Sequence, residues 1–453
     1  MTADKIKELI GALYGVSLVD DFTINEAGSL KGRIAVATGQ NNADLEWDVE
    51  ISPTYPFKTM GRESIYFQNK NLLDYPHIMQ GGNLCMHSAE YDNTERQFVN
   101  DLKQLKEWVK KYYVRGEKDL HYEHLVVNHY LIREQYYTFC FAEAQEDFAE
   151  GDFGVVHYAV LSTGRKNDSP VSNYVAQKFV SYAQLKKKEL LCNISKPYQK
   201  LSSFEGVYCL LNNIPSEHAK FIVEDYDSIK GLFSQSQKNY IYSFVVSYRG
   251  KYDFFPLFCG YRIPGGGVHW QGMMVFMDDL PIEPVRVGTG KNRLWFTDFK
   301  QGLIQWAETV DISYKYFFGR GAMPKELANK KILIMGVGAI GSIVAETLTR
   351  WGAKKLTLCD IDNKEPGNVC RSAYPFHTGI TEKTLDMENL LTQISPHVEC
   401  VSLKPIIDLV VKTYSAGYED KSALAKLFNE FDVIFDCTTD NQLMRIMDSM
   451  GTK

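Results

Sequence analysis

In the stretch KILIMGVGAIG, Gly336, Gly338 and Gly341 form G-x-G-x-x-G between a β-branched run and a helical pattern. The first glycine permits a tight turn, the second lets backbone amides approach a phosphate, and the third allows close helix–strand packing. The helix start then presents unpaired N–H groups to an anion. Asp360 ends the next apolar run, LTLCD, where a carboxylate can accept hydrogen bonds from ribose hydroxyls. Taken alone, this motif points to a nicotinamide or flavin dinucleotide. A second chemical candidate lies far upstream. Cys85 sits in the polar, glycine-containing stretch QGGNLCMH, with His77 eight residues before it. A thiol in that setting is expected to be accessible, able to form a thiolate, and open to an approaching amine. The competing reading is a buried structural cysteine in a domain that only binds partners. Cys209, Cys359 and Cys437 occupy apolar, strand-like runs and read as core.

These groups must be held by elements, and the 453 residues fall into three zones of different texture. Residues 1–125 read as α+β. Ile6, Leu9, Ile10 and Leu13 recur at helical spacing; strand-like runs follow near 32–38, 45–52 and 64–68; Phe98, Val99, Leu102, Leu105, Trp108, Val109 and Tyr112 then form one apolar helix face. Residues 126–318 read as mixed and β-rich, with strand-like runs such as YIYSFVVSY (240–248) and MMVFM (273–277), and a Gly-rich connection at 264–272. From 319 to 453, strands alternate with helices, including GSIVAETLTRWG and VIFDC, which implies an α/β, Rossmann-like parallel sheet. A net charge of −6 argues against a surface built to coat nucleic acid. No apolar run is long enough for a membrane span, and no signal peptide opens the sequence. The nine cysteines show neither CxxC nor zinc-site spacing, so a reducing, cytoplasmic setting is expected.

The residues after Asp360 narrow the ligand. The stretch DIDNKEPGNVCR resembles the signature of the ThiF/MoeB/ubiquitin-activating superfamily: Asp360, Asp362, Glu365, Asn368 and Arg371 match in type and offset, with Ser372 where the family has Gln. Lys383, ahead of I-S-P, is similar to the family's phosphate-contacting lysine before I-N-P, and DCTTDN, with Asp440 and Asn441, is similar to its D-C-T-D-N. The resemblance implies attack of a protein's C-terminal carboxylate on the α-phosphate of ATP, giving an acyl-adenylate and pyrophosphate. Two anions must meet, so Arg371 and Lys383 are assigned to neutralise the developing charge. Asp440 is assigned to Mg²⁺, Asn368 to a phosphate oxygen, and Asp360, Asp362 and the three glycines to the nucleotide. Arg320, in YFFGRGAMP, is assigned a reach to ATP across a homodimer formed by the adenylation domain.

The upstream site has its own resemblance. YPF at 55–57 and YPHIMQGGNLCMH at 75–87 are similar to the active-site segment of ubiquitin-conjugating enzymes, in which His-Pro-Asn precedes the catalytic cysteine. Tyr75-Pro76-His77 takes those places, with His77 in place of the Asn, and an imidazole N–H can donate as the amide does. Together the halves resemble the conjugating/activating fusions of CBASS antiphage operons. That implies a substrate with an activated C-terminus, either a ubiquitin-like protein or a cGAS-like nucleotidyltransferase, and thioester transfer to Cys85 and then to an acceptor protein amine. The superfamily's transfer cysteine lies beyond D-C-T-D-N and is not found here, so the C-terminal domain is expected to be incomplete. Two rivals stand beside this reading. One is a sulfur-carrier adenylyltransferase whose N-terminal domain only recruits the carrier. The other is an NAD-dependent oxidoreductase, which leaves Arg371, Lys383 and Asp440 without a task.

Overall fold

The computed structural model describes residues 1–39, 43–59, 63–73, 75–79, 81–85, 91–117, 131–182, 187–213, 223–263, 267–287, 294–403, 406 and 422–451. The side chains of Arg320, Leu294, Ser422, Ala423 and residues 449–450, the expected boundary near 125 and the start of the Gly-rich connection (264–266) lie outside that description.

The N-terminal segment begins with helix α1 (Ala3–Gly11), capped by the Thr2 hydroxyl accepting from Lys5 N–H. An antiparallel meander follows: β1 (Val16–Ile24), β2 (Leu30–Val36), β3 (Leu45–Ile51) and β4 (Ile65–Gln68), paired in chain order. Helix α2 (Thr94–Trp108) closes the layer, its Asn93 cap accepting from Arg96 N–H. Ile6, Ile10, Ile34, Trp47, Phe67, Phe98, Leu102 and Leu105 form the core between sheet and helices. Trp47 meets Trp108 edge-on at 5.4 Å. Strand β1 is an addition to the sequence reading. Its pattern carries the acids Asp20 and Asp21 and buries only Val16 and Phe22, so periodicity is weak there.

In the middle segment β5 (Tyr136–Phe141) pairs with both β14 (Trp306–Asp311) and β7 (Ser169–Ser181). The order β5-β14-β11-β10-β9-β6-β7 therefore closes on itself, with β8 (Lys188–Leu191) hanging on β7. The other members are β6 (Phe153–Lys166), β9 (Ser203–Leu210), β10 (Phe254–Arg262) and β11 (Val268–Phe276). Side chains alternate across this wall. Phe139, Phe141, Tyr158, Phe179, Tyr208, Phe258 and Trp270 pack inside, while Leu257, Cys259, Tyr261 and Met273 face helix α3 (Gln235–Tyr248) outside. A separate ribbon of β12 (Ile282–Val287) and β13 (Leu294–Phe299) lies beside α3.

Helix α3 corrects the strand expected at YIYSFVVSY. The β-branched and aromatic content favours a strand, but Ser234 and Gln237 form a capping box. Ile241, Phe244 and Val245 then fall at helical spacing on the barrel. Start signal and period outweigh composition.

The C-terminal segment is a four-stranded parallel sheet in the order β17-β16-β15-β18 (β15 Lys331–Met335, β16 Lys355–Cys359, β17 Glu399–Ser402, β18 Val433–Asp436). Helices α4 (Ala339–Arg350), α5 (Lys383–Ile394), α6 (Ser422–Phe428) and α7 (Asn441–Gly451) accompany it. Chain order reverses between β15 and β18, which places a crevice at their carboxyl ends. The sheet is joined to the barrel through Ile394-Ser395-Pro396-His397. Pro396 C=O accepts from Ser195 N–H at 2.6 Å, and the His397 ring nitrogens lie 3.1 Å from Asn193 C=O and 2.7 Å from Ile312 C=O. Tyr198 donates to Thr392 C=O and Tyr314 to Gly352 C=O. No helix among the described residues is long and apolar enough to cross a membrane.

Phe258 is fully buried inside the barrel, edge-on to Phe139 and Phe141 at 4.9 Å. Phe258→Ala should cost about 3–5 kcal/mol, read as an earlier urea transition. A loss below about 1 kcal/mol would show that the interior is not packed as described.

Candidate functional site

The crevice is built around Gly336, whose φ of +76° and close approach to Cys437 and Thr438 admit no side chain. A Cβ at Gly341 would meet Gly336 C=O at 1.9 Å, so α4 can lie this close to β15 only with glycine there. A Cβ at Gly338, the residue before α4, would meet nothing within 4 Å. That open space at a helix N-terminus is where a phosphate group has room and unpaired N–H donors. Asp360, after β16, accepts from Val337 N–H at 2.7 Å through one oxygen and from Asp362 N–H at 2.9 Å through the other. It staples the turn, and each oxygen keeps a second lone pair for a ribose hydroxyl.

The loop after Asp360 is pinned at both ends. Asn363 bridges Glu382, which brings Lys383 back to Asp362, where the ammonium donates at 2.8 Å. Asn368 accepts from Glu365 N–H through its amide oxygen, and its NH₂ remains a donor. Arg371 is exposed and, among the described residues, makes no side-chain hydrogen bond or ion pair. Tyr374, buried and with its hydroxyl pushed up by desolvation, donates to Val337 C=O. Ala373 N–H donates to Ser342 Oγ on α4. Asp440 caps α7 by accepting from Gln442 N–H at 2.8 Å. Its second oxygen fits the habit of Mg²⁺, which takes one or two carboxylates and completes its shell with water and phosphate. Among the described residues no group of three His, Cys, Asp or Glu side chains is placed to hold a metal by itself.

Lys364 is a participant that sequence reasoning missed. Its ammonium, 1% exposed, donates to Pro375 C=O at 2.9 Å, to Asp386 at 2.7 Å and to Thr378 Oγ1. Three N–H groups meet three acceptors, which is what a buried ammonium requires. The only signal in the sequence was a lysine in the signature loop with an acid in the helix beyond.

Cys85 stands at a separate site. Cys85 N–H donates to His77 C=O at 2.7 Å, Leu84 N–H to Phe67 C=O, and Met79 N–H to Asn83 C=O. Gly82 has φ +82°, and a Cβ there would sit 3.0 Å from the Asn69 and Lys70 backbone. The thiol is half-buried rather than exposed, in the wall of a cleft of about 240 Å³ shared with His77, Glu107, Trp108, Lys111 and Tyr112. Tyr112 arrives on a π-helical turn, Val109–Val114, that continues α2. Its hydroxyl lies 3.2 Å from His77 Nε2 and accepts from Lys111 at 3.0 Å. Elsewhere burial pushes the thiols of Cys192, Cys209 and Cys400 up, and that of Cys259 to about 12. Cys437 is part-buried at the crevice, not in the core.

Residues 314–450 match the model of the ThiF family. The chain is 26% identical over 192 residues to the ATP-dependent ubiquitin transferase-like protein Cap2 of Enterobacter hormaechei subsp. hoffmannii (strain UCI 50), covering 41% of this chain and 30% of that protein. It is 29% identical over 122 residues to the molybdopterin-synthase adenylyltransferase of Escherichia coli (strain K12), covering 26% of this chain and 43% of that one. A crystal structure of E. coli MccB with ATP is similar at 25% identity and a TM-score of 0.17, over 17% of this chain and 23% of that chain. The chain thus spans less than half the length of each of these proteins. A ThiF/MoeB-type, ubiquitin-activating-like domain forms the C-terminal part of this mixed α/β protein.

Proposed function

We propose that the chain activates the C-terminal carboxylate of a protein as an acyl-adenylate, receives the acyl group on Cys85 as a thioester, and delivers it to an acceptor protein amine. The observation that supports this most is the loop from Asp360 to Lys383, which is stapled to the glycine-rich turn by Asp360 and folded back on itself by the Asn363–Glu382 bridge and the Lys383–Asp362 pair. Gly338 and the N-terminus of α4 would hold the phosphates of ATP, and Asp360 its ribose. Arg371 and Lys383 offset the charge that builds when carboxylate and α-phosphate meet. Asp440 would hold Mg²⁺, which would supply charge neutralisation to the phosphates. The carrier is a ubiquitin-like protein or a cGAS-like nucleotidyltransferase, and the setting is bacterial CBASS defence in the cytoplasm. A homodimer formed by the adenylation domain suits the apolar groups on α4, where Ile340 and Ile343 are 66% and 53% exposed.

Calorimetry should find ATP binding and no NAD binding; the opposite preference would sink the adenylation reading. Arg371→Ala should slow adenylate formation about a hundredfold, since it removes one charge aimed at the transition state. Pyrophosphate release at the unaltered rate would rule that role out.

Cys85→Ala should leave adenylation in place and stop amine transfer, because the two reactions use separate sites. Intact-mass spectrometry after turnover reads the thiol-sensitive adduct. An adduct that persists in Cys85→Ala, with transfer unaffected, would reduce the N-terminal segment to a binding module of a sulfur-carrier-type adenylyltransferase.

A further inference from the structure

The cleft at Cys85 contains a chain of polar groups that fixes more than the position of His77. Lys111 has only donors, so its 3.0 Å contact uses a lone pair of the Tyr112 hydroxyl oxygen. The same ammonium lies 4.7 Å from the centre of the Tyr112 ring and polarises the phenol, strengthening it as a donor. Tyr112 is 7% exposed, and among the described residues its hydroxyl meets Lys111 and His77 alone. Its proton therefore goes to His77 Nε2, 3.2 Å away. A neutral imidazole whose Nε2 accepts carries its hydrogen on Nδ1.

Resting on the thioester reading above, we propose that Tyr112 is a positioning residue that holds His77 as the Nδ1–H tautomer, so that the ring meets the Cys85 cleft as a hydrogen-bond donor. When an acceptor amine attacks, the C–N bond forms and the carbonyl electron pair moves to oxygen. His77 Nδ1–H donates to that oxyanion. The pair then returns, the C–Sγ bond breaks, Cys85 leaves as thiolate, and the ammonium formed gives its proton to solvent water. Nothing is oxidised or reduced. The π-helical turn is part of the device, because it sets Lys111 and Tyr112, adjacent in sequence, against one another and on the cleft. The backbone at His77 also fits a donor role. Its φ of +61° is a conformation that asparagine adopts readily, so His77→Asn exchanges one N–H donor for another without moving the loop.

The tautomer is read directly by long-range ¹H–¹⁵N correlation on the full chain labelled at histidine, with His77 assigned by its loss in His77→Asn. The expected spectrum has a protonated Nδ1 and an unprotonated Nε2, with Tyr112→Phe giving a mixture of tautomers. A protonated Nε2 in the parent chain, or no change in Tyr112→Phe, overturns the proposal. The second arm follows discharge to free lysine, counted per loaded Cys85. Tyr112→Phe should slow it about tenfold, and the same substitution in a His77→Asn background should change nothing. Equal slowing in both backgrounds would show a merely structural role for Tyr112. A chain that takes no acyl group at Cys85 overturns the thioester reading and the oxyanion role with it, while the tautomer spectrum still decides whether Tyr112 sets the ring.

Discussion

The carboxylate of Asp360 accepts one N–H from the glycine-rich turn and one from its own loop, and the geometry of the crevice follows from that pair of contacts. The turn can be drawn against β16 because Gly336 takes a positive φ and Gly341 lets α4 approach. The loop can then leave β16 in one direction only. It is closed at its far end by the Asn363–Glu382 bridge and anchored by the buried ammonium of Lys364. Arg371 thus projects from a backbone fixed on both sides, with its side chain exposed.

Much of this was legible in the sequence, and the parts that were not share a cause. The parallel sheet showed because β-branched runs alternate with helical periods, and Gly336 and Gly341 mark positions where only glycine fits. Asp360, Asn368 and Lys383 were singled out by type and offset, and the fold brings Lys383 back against the loop that Asp360 begins. Lys364 did not, because whether a lysine is solvated or buried depends on Asp386 and Thr378, which come near only after folding. Tyr112 was placed on the apolar face of a helix, and it is buried as that face demands. What the 3.6-residue period could not show is a π-helical turn, which changes the angular offset and sends the hydroxyl to His77. Strand β1 hid behind its acids, and α3 behind its aromatic content. In both, burial on one side decided the element and composition misled.

The two candidate sites rest on different supports. The Cys85 cleft belongs to a meander and a helix whose core is continuous, and Trp108, packed on Trp47, lines it. The crevice belongs to a sheet that is joined to a closed barrel. In its closed circuit β5-β14-β11-β10-β9-β6-β7 every strand has a neighbour on both sides. Its aromatic interior, with Phe179 and Trp270 stacked at 4.9 Å, leaves little slack.

The joint between barrel and sheet has a further property. Among the described residues the acceptors of its hydrogen bonds are main-chain oxygens, those of Asn193, Ile312, Gly352, Thr392 and Pro396, and His397, Tyr198 and Tyr314 reach them through their side chains. A carbonyl is present whatever residue bears it. Substitutions at the acceptor positions therefore leave the docking code intact so long as the backbone path holds. A connection written this way can be inherited by chains whose barrels have drifted beyond recognition, with a few scattered side chains, His397 among them, as its visible trace.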